Sequence, residues 1–166
     1  MDSSVYIAII IVIAIAMIIW LLTVINNKHK KRVEQEQLSL FSNIAKEFQL
    51  KIYKTEQMKD RMLGWDSEIS NLLFVDFKST PLDINHVQIM ELSSCKLLTQ
   101  VANGSEDVTS GSTDTTSISL ELHYKNNSFP KQLLTFYAYG RDSLFDLVPL
   151  KQKAEHWRDI FNVSKK

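Results

Sequence analysis

The stretch LVPLKQKAEHWRDIF, residues 147–161, predicts the element that closes the fold. Its apolar residues recur at spacings of three and four, the period of a helix with one apolar face. Ser143 or Asp146 can cap this helix, and Pro149 fits its first turn, where the missing N–H leaves no hydrogen bond unmade. We therefore expect a C-terminal helix packed on a sheet. Its buried stripe is Leu147, Leu150, Ala154, Trp157 and Phe161.

The residues before this helix have a period of two, which indicates strands. The clearest is SISLELHY at 117–124, where apolar residues alternate with Ser119, Glu121 and His123. The segment 86–92 slips in phase, as a bulge would. The other predicted strands are RMLGWD (61–66), NLLFVDF (71–77), HVQIMEL (86–92), CKLLTQV (95–101) and QLLTFYAY (132–139).

Three connecting segments have different characters. Residues 33–50 contain neither Gly nor Pro and predict a linker helix, with an apolar stripe that either docks on the following domain or pairs with a second copy. For the segment 51–59 the sequence allows two predictions, a first strand or an extension of this helix. Residues 102–117 are rich in Ser, Thr, Gly and Asp and predict a long loop that is either mobile or functional, with the polar composition favouring a mobile loop. The stripe of the linker helix is Leu38, Phe41, Ala45, Phe48 and Ile52.

The amino-terminal part predicts a membrane anchor. Val5 to Ile25 is a run of 21 residues without a charge, nine of them Ile. As a helix it is about 31 Å long, close to the thickness of a bilayer's hydrocarbon core. The run exceeds the apolar region of a signal peptide, and no positive charge precedes it. We therefore expect a permanent anchor over residues 1–27, with about 5–25 spanning the bilayer.

A basic cluster, Lys28, Lys30, Lys31 and Arg32, follows the apolar run. By the positive-inside rule, this flank faces the cytoplasm, which predicts a cell-membrane protein with its amino terminus outside and its carboxy-terminal domain inside. The same four residues are the predicted membrane-surface contact, because cations near the bilayer attract anionic headgroups. The alternative is that these four residues are only a topology signal and bind no particular lipid.

The rest of the chain has the size of one domain. The sequence has 166 residues with 19 basic and 19 acidic side chains, and 15 basic and 18 acidic side chains remain from Val33 onward. A mildly acidic domain is unsuited to nucleic acid, so none is expected as a partner. The predicted organisation is an anchor at 1–27, a basic juxtamembrane segment and linker helix at 28–50, and a soluble domain at 51–166.

Six or seven antiparallel strands followed by one amphipathic helix with a central Trp resemble the pleckstrin-homology-like (PH-like) fold. The chain is similar to small membrane-anchored bacterial proteins that carry such a domain behind one amino-terminal helix. This resemblance implies an α+β domain in which an antiparallel barrel or sandwich is capped by the last helix. The residues that carry it are LGWDSEISNLLFVDF, INHVQIMELSSCKLLTQV, SISLELHYKNNS, LLTFYAY and AEHWRDIF.

The resemblance implies a binding or scaffolding module, with an unidentified protein as partner besides the bilayer itself. In lipid-binding members of such a family, basic residues around the first two strands hold the headgroup. The candidates here are Lys54, Lys59 and Arg61. The alternatives are therefore a domain that reads an anionic membrane surface, or an envelope component outside the cytoplasm. The sequence leaves the oligomeric state open.

No pattern of catalytic residues is evident, so we expect neither an enzyme nor a small-molecule substrate. The four His residues are dispersed, and the four Gly residues form no phosphate-binding loop, so no metal or cofactor is expected. Cys95, the single cysteine, precludes an internal disulfide. Its apolar neighbours predict a small buried residue.

Overall fold

The computed structural model describes residues 3–102, 115–126 and 130–163, with side chains described from Val12 onward. The chain divides into two compact units, Met1–Ile44 and Ala45–Lys166. Most of the predicted 102–117 loop lies outside the described residues, although Thr115 and Thr116 already belong to a strand.

The first unit consists of helix α1, which extends from Ser3 to Glu47 and so ends inside the second unit. The segments predicted to be the anchor and the linker helix are thus parts of one continuous helix. It contains a segment that is long and apolar enough to cross a membrane. None of the described side chains from Val12 to Ile25 is buried, as expected of residues that face lipid.

The second unit contains two antiparallel sheets. The first has the strand order β1 (Lys54–Met58), β2 (Arg61–Asp66), β3 (Asn71–Asp76) and β4 (Asp83–Gln88). The second has the order β5 (Leu92–Val101), β6 (Thr115–Tyr124) and β7 (Gln132–Ala138). A 3₁₀ turn (Leu144–Asp146) then leads into helix α2 (Leu147–Val163). The antiparallel strands and the closing helix confirm the predicted α+β class at this level.

Two local predictions change in the structure. The phase slip in 86–92 is a 3₁₀ turn, Ile89–Glu91, which separates β4 in one sheet from β5 in the other. A continuous strand was therefore wrong there, because the chain changes sheets at this point. The segment 51–59 contains a first strand, since Lys54 to Met58 pair with β2.

The two sheets and α2 enclose one apolar core. All five residues of the predicted α2 stripe are buried, and Trp157 and Phe161 are fully covered. The Trp157 ring meets Trp65 edge-on at 6.3 Å between centroids. Cys95 is also buried in this core. Burying side chains of this size provides most of the favourable free energy of folding.

Helix α2 is also hydrogen-bonded to both sheets. Trp157 Nε1 donates to Glu56 on β1 at 2.9 Å, and Asn162 Nδ2 donates to the carbonyl oxygen of Cys95 on β5 at 3.3 Å. Burial raises the pKa of Glu56, but hydrogen bonds from Lys153 and Trp157 outweigh this effect and bring it below its usual value. The helix therefore joins the two sheets through polar contacts as well as through the core.

At the end of α1, the chain turns into the domain through Gln49, which has a left-handed backbone (φ 57°). The Leu50 N–H donates to the Ala45 carbonyl oxygen at 2.9 Å and closes the helix. The Phe48 ring lies 5.0 Å from the ring of His86 on β4, whose pKa is lowered by burial. Of the predicted linker stripe, Ala45, Phe48 and Ile52 belong to the second unit.

Candidate docking surface

The basic cluster lies on consecutive turns of α1 and is exposed. Lys30 lies 3.9 Å from Glu34, and Arg32 lies 3.0 Å from Glu36, each pair one helical turn apart. Exposed pairs of this kind contribute only about 0.3–0.5 kcal/mol, so they are easily exchanged for other partners. Contact of this cluster with the membrane surface stays a prediction.

Lys54, Lys59 and Arg61 do not form one basic surface. The Lys54 Nζ lies 5.3 Å from the centroid of the Trp157 ring and 3.2 Å from His156 Nε2. The Lys59 Nζ donates to the Arg141 carbonyl oxygen at 3.1 Å. The Arg61 side chain is fully buried, with 0% of its area exposed. Only Lys54 and Lys59 are thus within reach of a headgroup.

Arg61 is held by three groups inside the domain. Its guanidinium donates to the Phe136 carbonyl oxygen at 2.8 Å and to Asp142 at 3.0 Å, and its Nε lies 3.6 Å from Asp76. A buried cation is tolerated only when opposite charge and hydrogen bonds compensate for its lost hydration. Because these partners lie on β3, on β7 and beyond the end of β7, Arg61 ties the two sheets together.

Asp76 has a second cationic partner in Arg141, which binds both of its carboxylate oxygens. Burial raises the pKa of Asp76, but the hydrogen bonds from Arg141 and from the Lys78 N–H outweigh this effect and bring it below its usual value. The same carboxylate raises the pKa of Arg141. We call Arg61, Asp76, Arg141 and Asp142 the buried charge network.

The network fixes the turn between β7 and α2. Asp142 accepts a hydrogen bond from the Ala138 N–H at 2.8 Å, and the Asp142 N–H donates back to the Ala138 carbonyl oxygen at 3.0 Å. Gly140 has a φ of 80°, a conformation that favours glycine. Ser143 Oγ then accepts from the Phe145 N–H at 3.3 Å and caps the 3₁₀ turn.

This turn presents an apolar group to solvent. Phe145 is 91% exposed, Leu144 50% and Val148 54%. Val148 lies three residues after Phe145 and four after Leu144, the spacings at which side chains are neighbours on a helix. We call them the Phe145 knob. Burying a Phe side chain stabilises a structure by roughly 1.5–3 kcal/mol, and the folded chain alone does not gain this free energy at Phe145.

Within the segment 139–149 the exposed residues carry no charge, although the exposed Lys59 contacts this segment through its hydrogen bond to the Arg141 carbonyl oxygen. Between Tyr139 and Pro149, all residues that are well exposed are uncharged: Tyr139, Gly140, Ser143, Leu144, Phe145, Val148 and Pro149. The charged residues of the same segment, Arg141, Asp142 and Asp146, are partly or fully covered. Depletion of charge around an aromatic residue is typical of the centre of a protein–protein interface.

Sequence reasoning missed this surface. Phe145 and Val148 fall outside the spacing of the α2 stripe, which begins at Leu147, whereas Leu144, three residues earlier, would continue it. Apolar residues outside a helix's buried stripe are the signal that points to an exposed group. For Arg61, the partners Asp76 and Asp142 are distant in sequence, so no local pattern indicates its burial.

Within the described ranges, no group of three His, Cys, Asp or Glu side chains is placed to hold a metal ion. Comparison with known proteins gives no relative. No protein-family model, no curated protein and no solved structure matches the chain.

Proposed function

We propose that this protein is a single-pass, membrane-anchored binding module that presents a PH-like domain to a protein partner in the cytoplasm. The strand order supports the PH-like assignment: four antiparallel strands, then three, then one amphipathic helix that contacts both sheets. Folds of this kind accommodate lipid, peptide and protein ligands, so the choice of ligand has to come from the surface.

The charge distribution along α1 supports the orientation. Lys28, Lys30, Lys31 and Arg32 follow the apolar segment, and only Asp2 among the residues before it is charged. Basic residues close to the end of a spanning helix favour the cytoplasmic side. The domain that follows them would then lie in the cytoplasm.

The burial of Arg61 argues against a headgroup site on β1 and β2. A phosphate site needs several cations or N–H groups that converge on one exposed point. Arg61 is committed to Asp76 and Asp142, and Lys153 and Trp157 contact Glu56 on the same strand as Lys54. Two separated lysines are a weak lipid site.

The observation that carries the proposal is the exposed apolar group of Leu144, Phe145 and Val148. A nearly fully exposed Phe on a capped turn is an unusual feature for a monomeric surface, and such apolar patches mark interaction sites. The buried charge network restrains the turn before any partner arrives, which reduces the entropy lost on binding.

Site-specific photocrosslinking in intact membranes tests this function. A photoreactive phenylalanine analogue is placed in the full chain at one of three exposed positions, Tyr53, Met90 or Phe145. The proposal predicts a discrete protein adduct from at least one position. Adducts with lipid alone at all three positions would favour the membrane-reading alternative and contradict the proposal.

Reporter fusions after Lys166 test the orientation separately. A reporter active only in the cytoplasm should give a signal, and one active only outside should not. The opposite pattern would place the domain in the envelope.

A further inference from the structure

We infer that the free edge of β4 is a second binding surface of this module and takes up an extended segment of another protein as an additional strand. The inference goes beyond the proposed function, because it assigns a site other than the Phe145 knob and names the chemistry of its ligand. Each sheet has two edge strands, namely β1 and β4 in the first and β5 and β7 in the second. An edge strand presents backbone N–H and C=O groups that can pair with another chain.

Side chains from elsewhere in the domain occupy backbone groups on three of these four edge strands. On each of the three, a carbonyl oxygen accepts a side-chain hydrogen bond of 2.8 or 3.3 Å. Native proteins commonly protect edge strands against pairing with other chains, and these contacts have that effect. The donors and acceptors are Lys153 and Gln57 on β1, Asn162 and Cys95 on β5, and Arg61 and Phe136 on β7.

The register of β4 shows which of its backbone groups face outward. Just beyond β4, the Ile89 N–H donates to the Ser70 carbonyl oxygen at 2.9 Å, in line with the register of β3 and β4. Hydrogen-bonded pairs alternate with non-bonded pairs along antiparallel strands, so every second residue before Ile89 bonds inward to β3. The residues that direct their backbone groups away from the sheet are therefore Ile84, His86 and Gln88.

These outward groups are unpaired within the part of the chain that the structure describes. No group there bonds the N–H of Ile84, His86 or Gln88, and none bonds the carbonyl oxygen of Ile84 or His86. Ile84 and Gln88 are exposed, so both ends of this row are open to solvent. The groups repeat every two residues of a strand, and an extended backbone offers complementary groups at the same repeat. The ligand that this edge fits is therefore a peptide strand.

The side chains along β4 define the sequence pattern of the bound segment. Ile84 and His86 lie on one face of the strand, where the Phe48 ring lies 5.0 Å from the His86 ring. Ile84 is 39% exposed and Phe48 is 40% exposed, so this face offers apolar area. Asp83 and Asn85 lie on the other face, and both are polar. A bound strand meets the two faces with alternate residues, so its residues should alternate between apolar and polar.

The length of β4 argues against a second copy of the chain. This strand has six residues, whereas a standard interface between two folded proteins takes about 20–30 residues from each side. Two domains joined only at this edge would bury too little area for a stable dimer. A single extended segment needs only the edge, because main-chain hydrogen bonds provide the affinity of strand addition.

The test removes one outward N–H group and keeps the bonds between β3 and β4. Gln88 has a φ of −88°, close to the range of proline, and its N–H faces outward, where an edge strand tolerates proline. A photoreactive phenylalanine analogue at the exposed Asp83, in the full chain and in living cells, captures the bound segment. We expect a discrete adduct with a different protein. Its yield should fall at least about tenfold in Gln88→Pro, because the segment loses a donor and meets the proline ring, and should persist in Gln88→Ala, which keeps the N–H.

A second variant tests the edge without changing its backbone. Ile84→Lys lies at a partly exposed position, so the fold should tolerate it, and Lys on an edge strand hinders strand addition. This variant should also lose most of the adduct. Thermal unfolding in detergent shows which variants are folded, and Ile84→Lys decides the test if Gln88→Pro is not.

Each other outcome overturns the inference, and the proposed function is judged separately. An adduct that persists in the folded Gln88→Pro or Ile84→Lys variant, or that is lost equally in Gln88→Ala, means that the segment does not pair with this edge. An adduct with a second copy of the chain replaces the partner's segment with self-association. Lipid adducts alone, or none, from Asp83 also contradict the inference. The proposed function stands wherever Tyr53, Met90 or Phe145 yields a protein adduct, and it is contradicted when those three positions give lipid alone.

Discussion

Two neighbouring regions of this domain invert the usual distribution of side chains. In the buried charge network, Arg61, Asp76 and Asp142 are removed from water, whereas Phe145, three residues beyond Asp142, is almost fully exposed. Charges are costly to bury and apolar groups are costly to expose, so neither arrangement is the expected one. This arrangement is explained if the buried charge network holds the turn that carries Phe145 in a conformation that a partner binds.

The largest effect is expected from breaking the network at Arg61. Arg61→Met removes the guanidinium that donates to Asp142 and leaves that carboxylate buried, so we expect a loss of about 3–5 kcal/mol in the free energy of unfolding. Denaturant unfolding of the full chain in detergent, followed by Trp fluorescence, measures it. Lys59→Met, two residues earlier and exposed, is the control and should change stability by no more than about 0.5 kcal/mol. Equal losses of unfolding free energy in the two variants would mean that the buried charge network does not stabilise the fold.

Acid should weaken the same region. The pKa of Asp76 is lower in the folded domain than its ordinary value of 3.8, so the folded state binds fewer protons than the unfolded state near that pH. Asp76 contributes its full stabilisation above about pH 3.8, the pKa of an ordinary aspartate, and this stabilisation is lost as the pH falls through the lowered pKa of Asp76 in the folded domain. We expect the unfolding midpoint in denaturant to fall on acidification below about pH 4, and to fall less in Asp76→Asn. A variant with the same pH dependence as the natural chain would argue against this assignment.

The cap at Ser143 should matter moderately. Ser143→Ala removes the oxygen that accepts the Phe145 N–H, and losing such a cap typically costs about 1 kcal/mol. Thermal unfolding should detect this loss, whereas Ser67→Ala, at an exposed position in the β2–β3 turn, should have little effect. If the two variants unfold at the same temperature, the cap at Ser143 does not stabilise the 3₁₀ turn.

Phe145 itself should contribute least to stability. Phe145→Ser replaces an exposed side chain and should change the free energy of unfolding by no more than about 0.5 kcal/mol. Leu147→Ser, two residues later in the buried stripe, should cost about 2–5 kcal/mol, as removal of a buried apolar side chain does. A large loss of stability in Phe145→Ser would mean that the Phe145 ring supports the fold.

Much of this architecture was predictable because periodicity reports burial. The spacing of Trp157 and Phe161 predicted the buried face of α2, and the alternation in 117–124 predicted β6. The boundary at Ile89 was not predictable, because one alternating run is divided between two sheets by a single turn. Periodicity describes one element at a time and carries no information on where a chain changes sheets.

The docking surface was harder to predict for a different reason. Arg61 depends on Asp142, which is 81 residues away in sequence, so its burial is a property of the assembled fold. Its position near Lys59 made it look like part of a basic surface. The exposure of Phe145 likewise follows from the turn that Asp142 and Ser143 fix.

The central claim is that the buried charges hold the exposed turn, and amide hydrogen exchange tests it most directly. In Asp142→Asn, which keeps the side chain's shape but removes its charge, the N–H groups of Ala138 and Phe145 should exchange faster than in the natural chain. The N–H of Leu73, at the centre of β3, is the internal reference and should keep its protection relative to global unfolding. Unchanged protection at Ala138 and Phe145 would show that the turn is held without the network and would contradict the claim.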